Sequence, residues 1–303
     1  MALTLESCTL EEKCSFLGRK YEELEELREK LKDWVKAHLH LPQEIPDTTL
    51  ECFLLNTKMS LEQAKQKLDM YYSIRRLVPE LFTNRDPVGS GISDVLQIVK
   101  WVALPKLTLE KYRVSILKTM DSDDVIYNPW EMFKYSFMVG DVRISECRSL
   151  GDIYIYDLSG VRLGRLAKLT PTILKKCEVT ARKAYAAKIV GIHFINAPNF
   201  VDRLVNLVKS SIKPKLAERV HVHSTYESLY EFIPKSILPA DYGGEEMQVD
   251  DLAKMWQDKL VDLRDWFIKE EQVLTDEALR AEPMINPDDL FGTYGSFRKL
   301  DVD

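Results

Sequence analysis

No stretch of this 303-residue sequence approaches the roughly 18 consecutive apolar residues of a membrane-spanning helix. Its opening residues, MALTLESCTLEEKCSF, have neither the basic start nor the apolar run of a secretory signal. The second residue is Ala and the last three are Asp-Val-Asp, so neither a myristoyl nor a prenyl anchor is expected. Cysteine is sparse: Cys8, Cys14, Cys52, Cys147 and Cys177 are odd in number and form no CxxC. They read as free thiols in a reducing compartment, which predicts a cytoplasmic protein. Catalytic signatures are missing as well. There is no GxSxG, HExxH or GxxxxGK[ST], and the GSG at 89–91 lacks the strand-turn-helix frame of a dinucleotide site. Of the five histidines, His221 and His223 alternate along a predicted strand. A metal pair would need a third ligand that no spacing supplies, so no metal and no cofactor is expected. No nucleophile-base pair stands out, and the expected function is not enzymatic. No internal repeat is visible.

What the sequence does have is an uneven charge. Between Arg162 and Arg219 lie thirteen Lys and Arg but three Asp and Glu, in a chain whose net charge is −6. A single helix face of solvated lysines is the ordinary explanation of a basic run, but alternating ion pairs would not produce such an excess. A field of one sign on one region attracts phosphates or anionic lipid headgroups. Nucleic acid is the weaker partner, because the overall pI is about 5.6 and no aromatics interleave with the cations as stacking platforms. The same stretch holds the apolar VGIHFI and a helical segment with Phe200, Leu204, Leu207 and Val208 on one face. Asn199, Asp202, Arg203 and Asn206 occupy the other face, as a lid over an apolar cavity requires.

Three parts are expected: a helical module over 1–88, an α/β domain over 92–248, and a helical extension with a tail over 249–303. In the first, residues 10–40 repeat Leu24, Leu27, Leu31, Trp34 and His38 at helical spacing. Ser60 with Gln63 suggests a capping box before a second long helix that Pro79 ends. In the second, KYRVSILKT, GDIYIYDLSG, KIVGIHFIN and RVHVHST read as strands, the third apolar on both faces as in a helix-covered parallel sheet. Thr170-Pro171 starts a helix with Ile173, Cys177, Ala181 and Ala184 on one side and Lys175, Lys176, Arg182 and Lys183 as a basic ridge. Ser224 with Glu227 repeats the capping-box pattern. Leu252, Trp256, Leu260, Leu263 and Phe267 mark an amphipathic helix in the third part. No structure is assigned to 281–303. The aromatic and apolar residues Phe133, Phe137, Tyr154, Tyr156, Cys177, Tyr185, Ile192 and Phe194 fit a filled core or the wall of a cavity, and periodicity does not separate the two.

The segments GDIYIYDLSG, LTP, KIVGIHFINAP, VKSSIKPKLAERVHVHS and LYEFIPKSILPADYGGEE together resemble the CRAL-TRIO lipid-binding family. Residues 47–82 are similar to that family's N-terminal helical module. The likeness is nearest to the α-tocopherol transfer protein and retinaldehyde-binding protein branch. It implies an α/β CRAL-TRIO fold, a mixed and mainly parallel sheet flooring a lipid cavity covered by helices. It further implies a monomeric cytosolic carrier that encloses one small hydrophobic lipid (tocopherol-, retinoid- or carotenoid-like) and delivers it to membranes bearing phosphoinositides. The aromatic set above, with Ser136, Ala181 and the gate residues Phe200, Leu204 and Leu207, would then bind the ligand. Three of the family's headgroup cations fall on Lys188, Lys215 and Arg219, the fourth position being Val190; one pocket serine matches Ser136 and another falls on Gly140. The usual arginines of the N-terminal segment are absent from FLLNTKM. A phosphoinositide-sensing membrane adaptor without lipid transfer, or an enzyme acting on a lipid, remain the alternatives.

Overall fold

A computed structural model describes residues 3–121, 127–212, 214–281 and 285–292. Six helices come first: α1 Leu10–Phe16, α2 Tyr21–Ala37, α3 Asp47–Asn56, α4 Leu61–Leu77, α5 Pro79–Phe82 and α6 Ser90–Leu96. The single helix expected over 10–40 is broken at Gly18, whose φ of +67° is the left-handed conformation that glycine adopts without a Cβ clash. Thr9 caps α1 in a complete capping box. The box expected at Ser60 does not form, because the Ser60 side chain makes no cap bond.

A five-stranded sheet follows in the order β1-β2-β3-β4-β5, with β1 Val99–Leu107, β2 Tyr112–Thr119, β3 Gly151–Asp157, β4 Ile189–Ile195 and β5 Val220–Val222. The β1–β2 pair is antiparallel and the other three pairs are parallel. Helices make each parallel crossover: α7 Pro129–Glu146 before β3; α8 Leu163–Leu166 and α9 Pro171–Val179 before β4; α10 Val201–Ser211 and α11 Pro214–Ala217 before β5. This is the mixed, mainly parallel α/β sheet that the sequence implies.

β1 is an addition to that expectation. Pro105 sits inside it, and the pairing register slips between Ala103 and Leu107. The bulge is what lets a strand keep a residue with no N–H to donate.

The helix from Thr170 starts as expected, with the Thr170 hydroxyl accepting from the Ile173 amide. It ends as an α-helix at Val179 and continues as a π turn over Thr180–Ala184. The single helical face expected for Cys177, Ala181 and Ala184 therefore does not persist: Ala184 is buried and Ala181 half-buried.

The chain closes with α12 Tyr226–Tyr230, α13 Val249–Asp262, α14 Arg264–Glu270 and α15 Pro287–Phe291. Thr225, not Ser224, is the cap of α12. Leu252, Trp256, Leu260 and Phe267 are all essentially sealed, and the Trp256 indole donates to the Ala103 carbonyl at 2.8 Å. α15 falls in the stretch to which the sequence assigns no structure, and its Leu290 and Phe291 are buried.

Candidate functional site

Side chains alternate across a strand. Register therefore puts Trp101, Leu117, Tyr156 and Phe194 in one row on one face, with Ser115, Tyr154 and Ile192 in the next. Ile153, Ile155 and His193 face the other way. That second face is sealed, Ile155 at 0% and His193 at 1% exposure. On the first face Tyr154 and Tyr156, in the middle strand of the sheet, remain only half-buried. Central-strand residues under a helical layer keep accessible surface where the helices do not fill the space above them. Their rings join an aromatic row, with Trp101–Tyr154 centroids at 5.8 Å and Tyr156–Phe194 at 5.4 Å. Burial pushes the Tyr156 hydroxyl up to about 12, so it stays a neutral donor. The Ser115 hydroxyl between them is buried and has no hydrogen-bond partner among the described residues. Sequence reasoning passed over Ser115 and Trp101, and the in/out register of β2 and β1 is the signal that finds them.

The remaining expected lining residues come from the helices. Phe133, Ser136 and Phe137 are half-buried on α7. The Ser136 hydroxyl donates to the Met132 carbonyl at 2.9 Å, which leaves its lone pairs free to accept. Phe137 meets the Tyr185 ring at 5.0 Å. Cys177 and Tyr185 pack toward the N-terminal helices, so the structure sets them apart from the Ile192 and Phe194 group. Tyr185 also enters a buried charged network. Its hydroxyl and that of Tyr71 each donate to Asp141 Oδ1 at 2.7 Å, while Arg85 donates to Oδ2. Burial would raise the Asp141 pKa, yet the Arg85 and Arg75 guanidiniums hold it below the ordinary carboxylate value.

α10 lies over the β4–β5 end of the same sheet face. Phe200 and Val208 are half-buried and Val205 buried against Ile192, Phe194 and Val220. Asp202 and Asn206 are exposed, as expected for the outer face of a covering helix. The side chains of Arg203, Leu204 and Leu207 lie outside the described residues.

The expected basic ridge on α9 is largely neutralised. Lys176 pairs with Glu80 at 2.7 Å, Lys175 with Glu178 at 3.5 Å, and Arg182 with Glu178. The cations without such partners are elsewhere. Lys188 and Lys215 are exposed and Arg219 half-buried, and none makes an ion pair among the described residues. Arg219 instead donates to the Ile189 carbonyl, which fixes it beside the start of β4. Val190 packs close to Gly151, where a Cβ would fall 2.6 Å from a Val190 methyl. That approach is possible because residue 151 has no side chain.

Two of the surface recesses formed by the described residues lie away from this site. One, of about 380 Å³, lies between α13 and β1 with Lys100, Tyr135 and Gln257 in its wall. The other, of about 240 Å³, is bounded by Asn196, His223 and Tyr226. Neither is lined by any residue expected to bind the ligand. No group of three or more potential metal ligands is found among the described residues, and no helix among them is long and apolar enough to cross a membrane.

Comparison with known proteins fits this arrangement. Residues 103–244 match the CRAL/TRIO domain, and residues 20–92 match the Pinta-like, UBA domain. The Homo sapiens protein named alpha-tocopherol transfer protein-like is 28% identical over 244 residues, covering 79% of this chain and 70% of that protein. Clavesin-2 of Rattus norvegicus is 24% identical over 195 residues, 63% of this chain and 60% of its own length. The crystal structure of Sfh5 is similar in fold, with a TM-score of 0.51 at 13% identity over 80% of this chain and 98% of that one.

Proposed function

We propose, for a chain whose residues 103–244 belong to the CRAL/TRIO family of lipid-binding and lipid-transfer proteins, that it is a cytosolic carrier of a single hydrophobic lipid. The observation that carries this reading is the half-buried Tyr154–Tyr156 pair in the middle of a sheet face whose β4–β5 end α10 covers with apolar residues. A tocopherol-, retinoid- or carotenoid-like ligand fits a wall of aromatic rings with few polar groups. Phe133, Ser136, Phe137, Ala181, Ile192 and Phe194 would complete that wall, with Phe200 on the covering helix. The Tyr156 hydroxyl, the Ser115 hydroxyl and the Ser136 lone pairs would orient one polar end. Enclosing a tail of about 15 carbons gives roughly 12 kcal/mol before ordering costs. Spontaneous escape into water is then slow, and a membrane must open α10 for release. Lys188, Lys215 and Arg219, which have no carboxylate partner among the described residues, suit the phosphates of a phosphoinositide headgroup on that membrane. The carrier acts by binding and release and involves no covalent chemistry.

Solvent extraction of the purified protein followed by mass spectrometry tests this reading. A single lipid species near one equivalent supports a carrier. Protein that is free of lipid, takes up none from vesicles and still binds phosphoinositide membranes would make it an adaptor. A chemically altered lipid after incubation would make it an enzyme.

A further inference from the structure

The hydroxyls of Tyr71, Tyr185 and Tyr242 each donate to a buried carboxylate, Asp141 or Asp157. Tyr135, on α7 and only 1% exposed, makes no hydrogen bond among the described residues. Its hydroxyl is nevertheless not one of the polar atoms sealed off without a partner, so the little surface this side chain keeps includes the hydroxyl. That surface opens on the recess of about 380 Å³ between α13 and β1, which Tyr135 helps to line. Buried polar groups are ordinarily satisfied, and phenylalanine would fill the same space without the cost of desolvating a hydroxyl. Burial raises the Tyr135 pKa, which keeps the hydroxyl a neutral donor at the floor of the recess.

The rest of the recess indicates what would meet that donor. Leu96 of α6, Val99 at the start of β1, and Ala253 and Val261 of α13 give it apolar walls. Its charges cancel. Lys100 pairs with Asp250, while Lys254 and Asp258, one turn apart on α13, are exposed and of opposite sign. Small-molecule sites of about 300–1,000 Å³ have this character, mostly apolar with a few placed polar groups. The recess is also distinct from the candidate lipid cavity. Successive helical residues diverge by about 100°, so Tyr135 and the expected cavity residues Phe133 and Phe137, two positions to either side, point to opposite sides of α7.

We propose that this recess is a second ligand site, separate from the lipid cavity, for a small uncharged molecule with an apolar body and one hydrogen-bond acceptor, such as a carbonyl oxygen, which takes the Tyr135 hydroxyl. A carboxylate would gain nothing here, since the wall offers it as much negative charge as positive. The site is independent of the carrier reading and stands whatever the cavity holds.

Acetophenone carries such an acceptor, and ethylbenzene, of nearly the same size, does not. Each is titrated into the full chain with labelled valine and leucine methyls, and saturable shifts of the Val99 and Val261 resonances report the recess. Acetophenone is expected to bind about fivefold more tightly than ethylbenzene, the worth of one hydrogen bond. Tyr135→Phe should remove that difference and melt at or above the parental temperature, because no protein group bonds the hydroxyl it deletes. Ala181→Trp, in the expected wall of the lipid cavity, should leave both titrations unchanged. Equal affinity of the parent chain for the two probes, or no saturable shift with either, would overturn the proposal. A preference for acetophenone that survives Tyr135→Phe, or a Tyr135→Phe variant that melts several degrees early, would show that the hydroxyl does not serve a ligand. Benzoate binding more tightly than acetophenone would overturn the uncharged class, and loss of the shifts in Ala181→Trp would return the probes to the lipid cavity.

Discussion

Tyr185 donates its hydroxyl to Asp141 Oδ1 at 2.7 Å, joining the residue that follows the π turn to the middle of α7. Tyr71 from α4 shares that oxygen and Arg85 takes the other, so one carboxylate holds together the helices that flank the candidate cavity. Removing its charge leaves the buried Arg85 guanidinium without its carboxylate, while Arg75 keeps the Glu270 carboxylate at 2.9 Å. Asp141→Asn should therefore cost about 3–5 kcal/mol of unfolding free energy. Tyr185→Phe, which removes one hydrogen bond, should cost about 1–2 kcal/mol. Urea titration of both variants checks the difference, and similar losses in the two would mean that the Asp141 charge is not what the network depends on.

A side chain added in unfilled space behaves differently from one forced into a packed core. Ala181 is half-buried in the π turn. Ala181→Trp is expected to reduce lipid loading severalfold while shifting the melting temperature by only a few degrees, since overpacking a filled core costs about 1–3 kcal/mol. Co-purified lipid per protein and a thermal melt together decide it. A large drop in melting temperature with normal loading per folded molecule would place Ala181 in ordinary core.

The covering helix invites a comparable test. Phe200 and Val208 are half-buried on its inner side. Changing both to Asp should slow transfer of lipid to acceptor vesicles at least tenfold. If α10 opens as a local unit, the global melt should move little, because elements of low local stability contribute little to it. An early melt, or transfer at the parental rate, would show a permanently docked helix.

Acid should destabilise the protein through the sealed sheet face. His193 Nδ1 lies 2.9 Å from His223 Nε2, and the His193 and His221 rings stack at 5.1 Å. Burial first, then the facing charges of His223 and His221, lower the His193 pKa from 6.5 to about 3. The folded state therefore prefers the neutral ring. Its contribution is full above pH 6.5 and is lost as the pH falls from there toward 3, at up to about 1.4 kcal/mol per unit. His193→Gln should flatten the pH dependence of unfolding between 6.5 and 5; an unchanged slope would assign acid sensitivity to other groups.

Sequence patterns revealed four strands because each carries an apolar alternation or a continuous apolar run between turn signals. They revealed the start of α9 because Thr170-Pro171 is a local cap. β1 escaped because Pro105 argues against a strand unless a bulge is known to absorb it. The π turn escaped because one extra residue in a helical turn leaves the polar pattern of TARKA nearly unchanged. The Asp141 network was not legible at all: its partners lie 44 to 70 residues away, and each alone is an ordinary Tyr, Arg or Asp. The candidate site shows the same division. The aromatic strand residues were visible one by one, whereas their arrangement as one half-buried row depends on register between strands.

The strap before α1 has a consequence for synthesis. Leu3 is buried with the sheet residues, the Glu6 amide donates to the Pro105 carbonyl at 2.8 Å, and the Cys8 amide to that of Arg148 at 2.9 Å. The Glu6 carboxylate accepts from the Leu107 amide at 2.8 Å, and the Arg113 guanidinium holds the Glu6 carbonyl. Residues 3–8 thus leave the ribosome about a hundred residues ahead of every group that secures them. At about 5–20 residues per second they wait roughly 5–20 s or longer with their docking site unmade. The helical bundle next to them can meanwhile assemble locally, so the strap acts as a late fastener whose closure reports that β1, β2 and the end of α7 have come together.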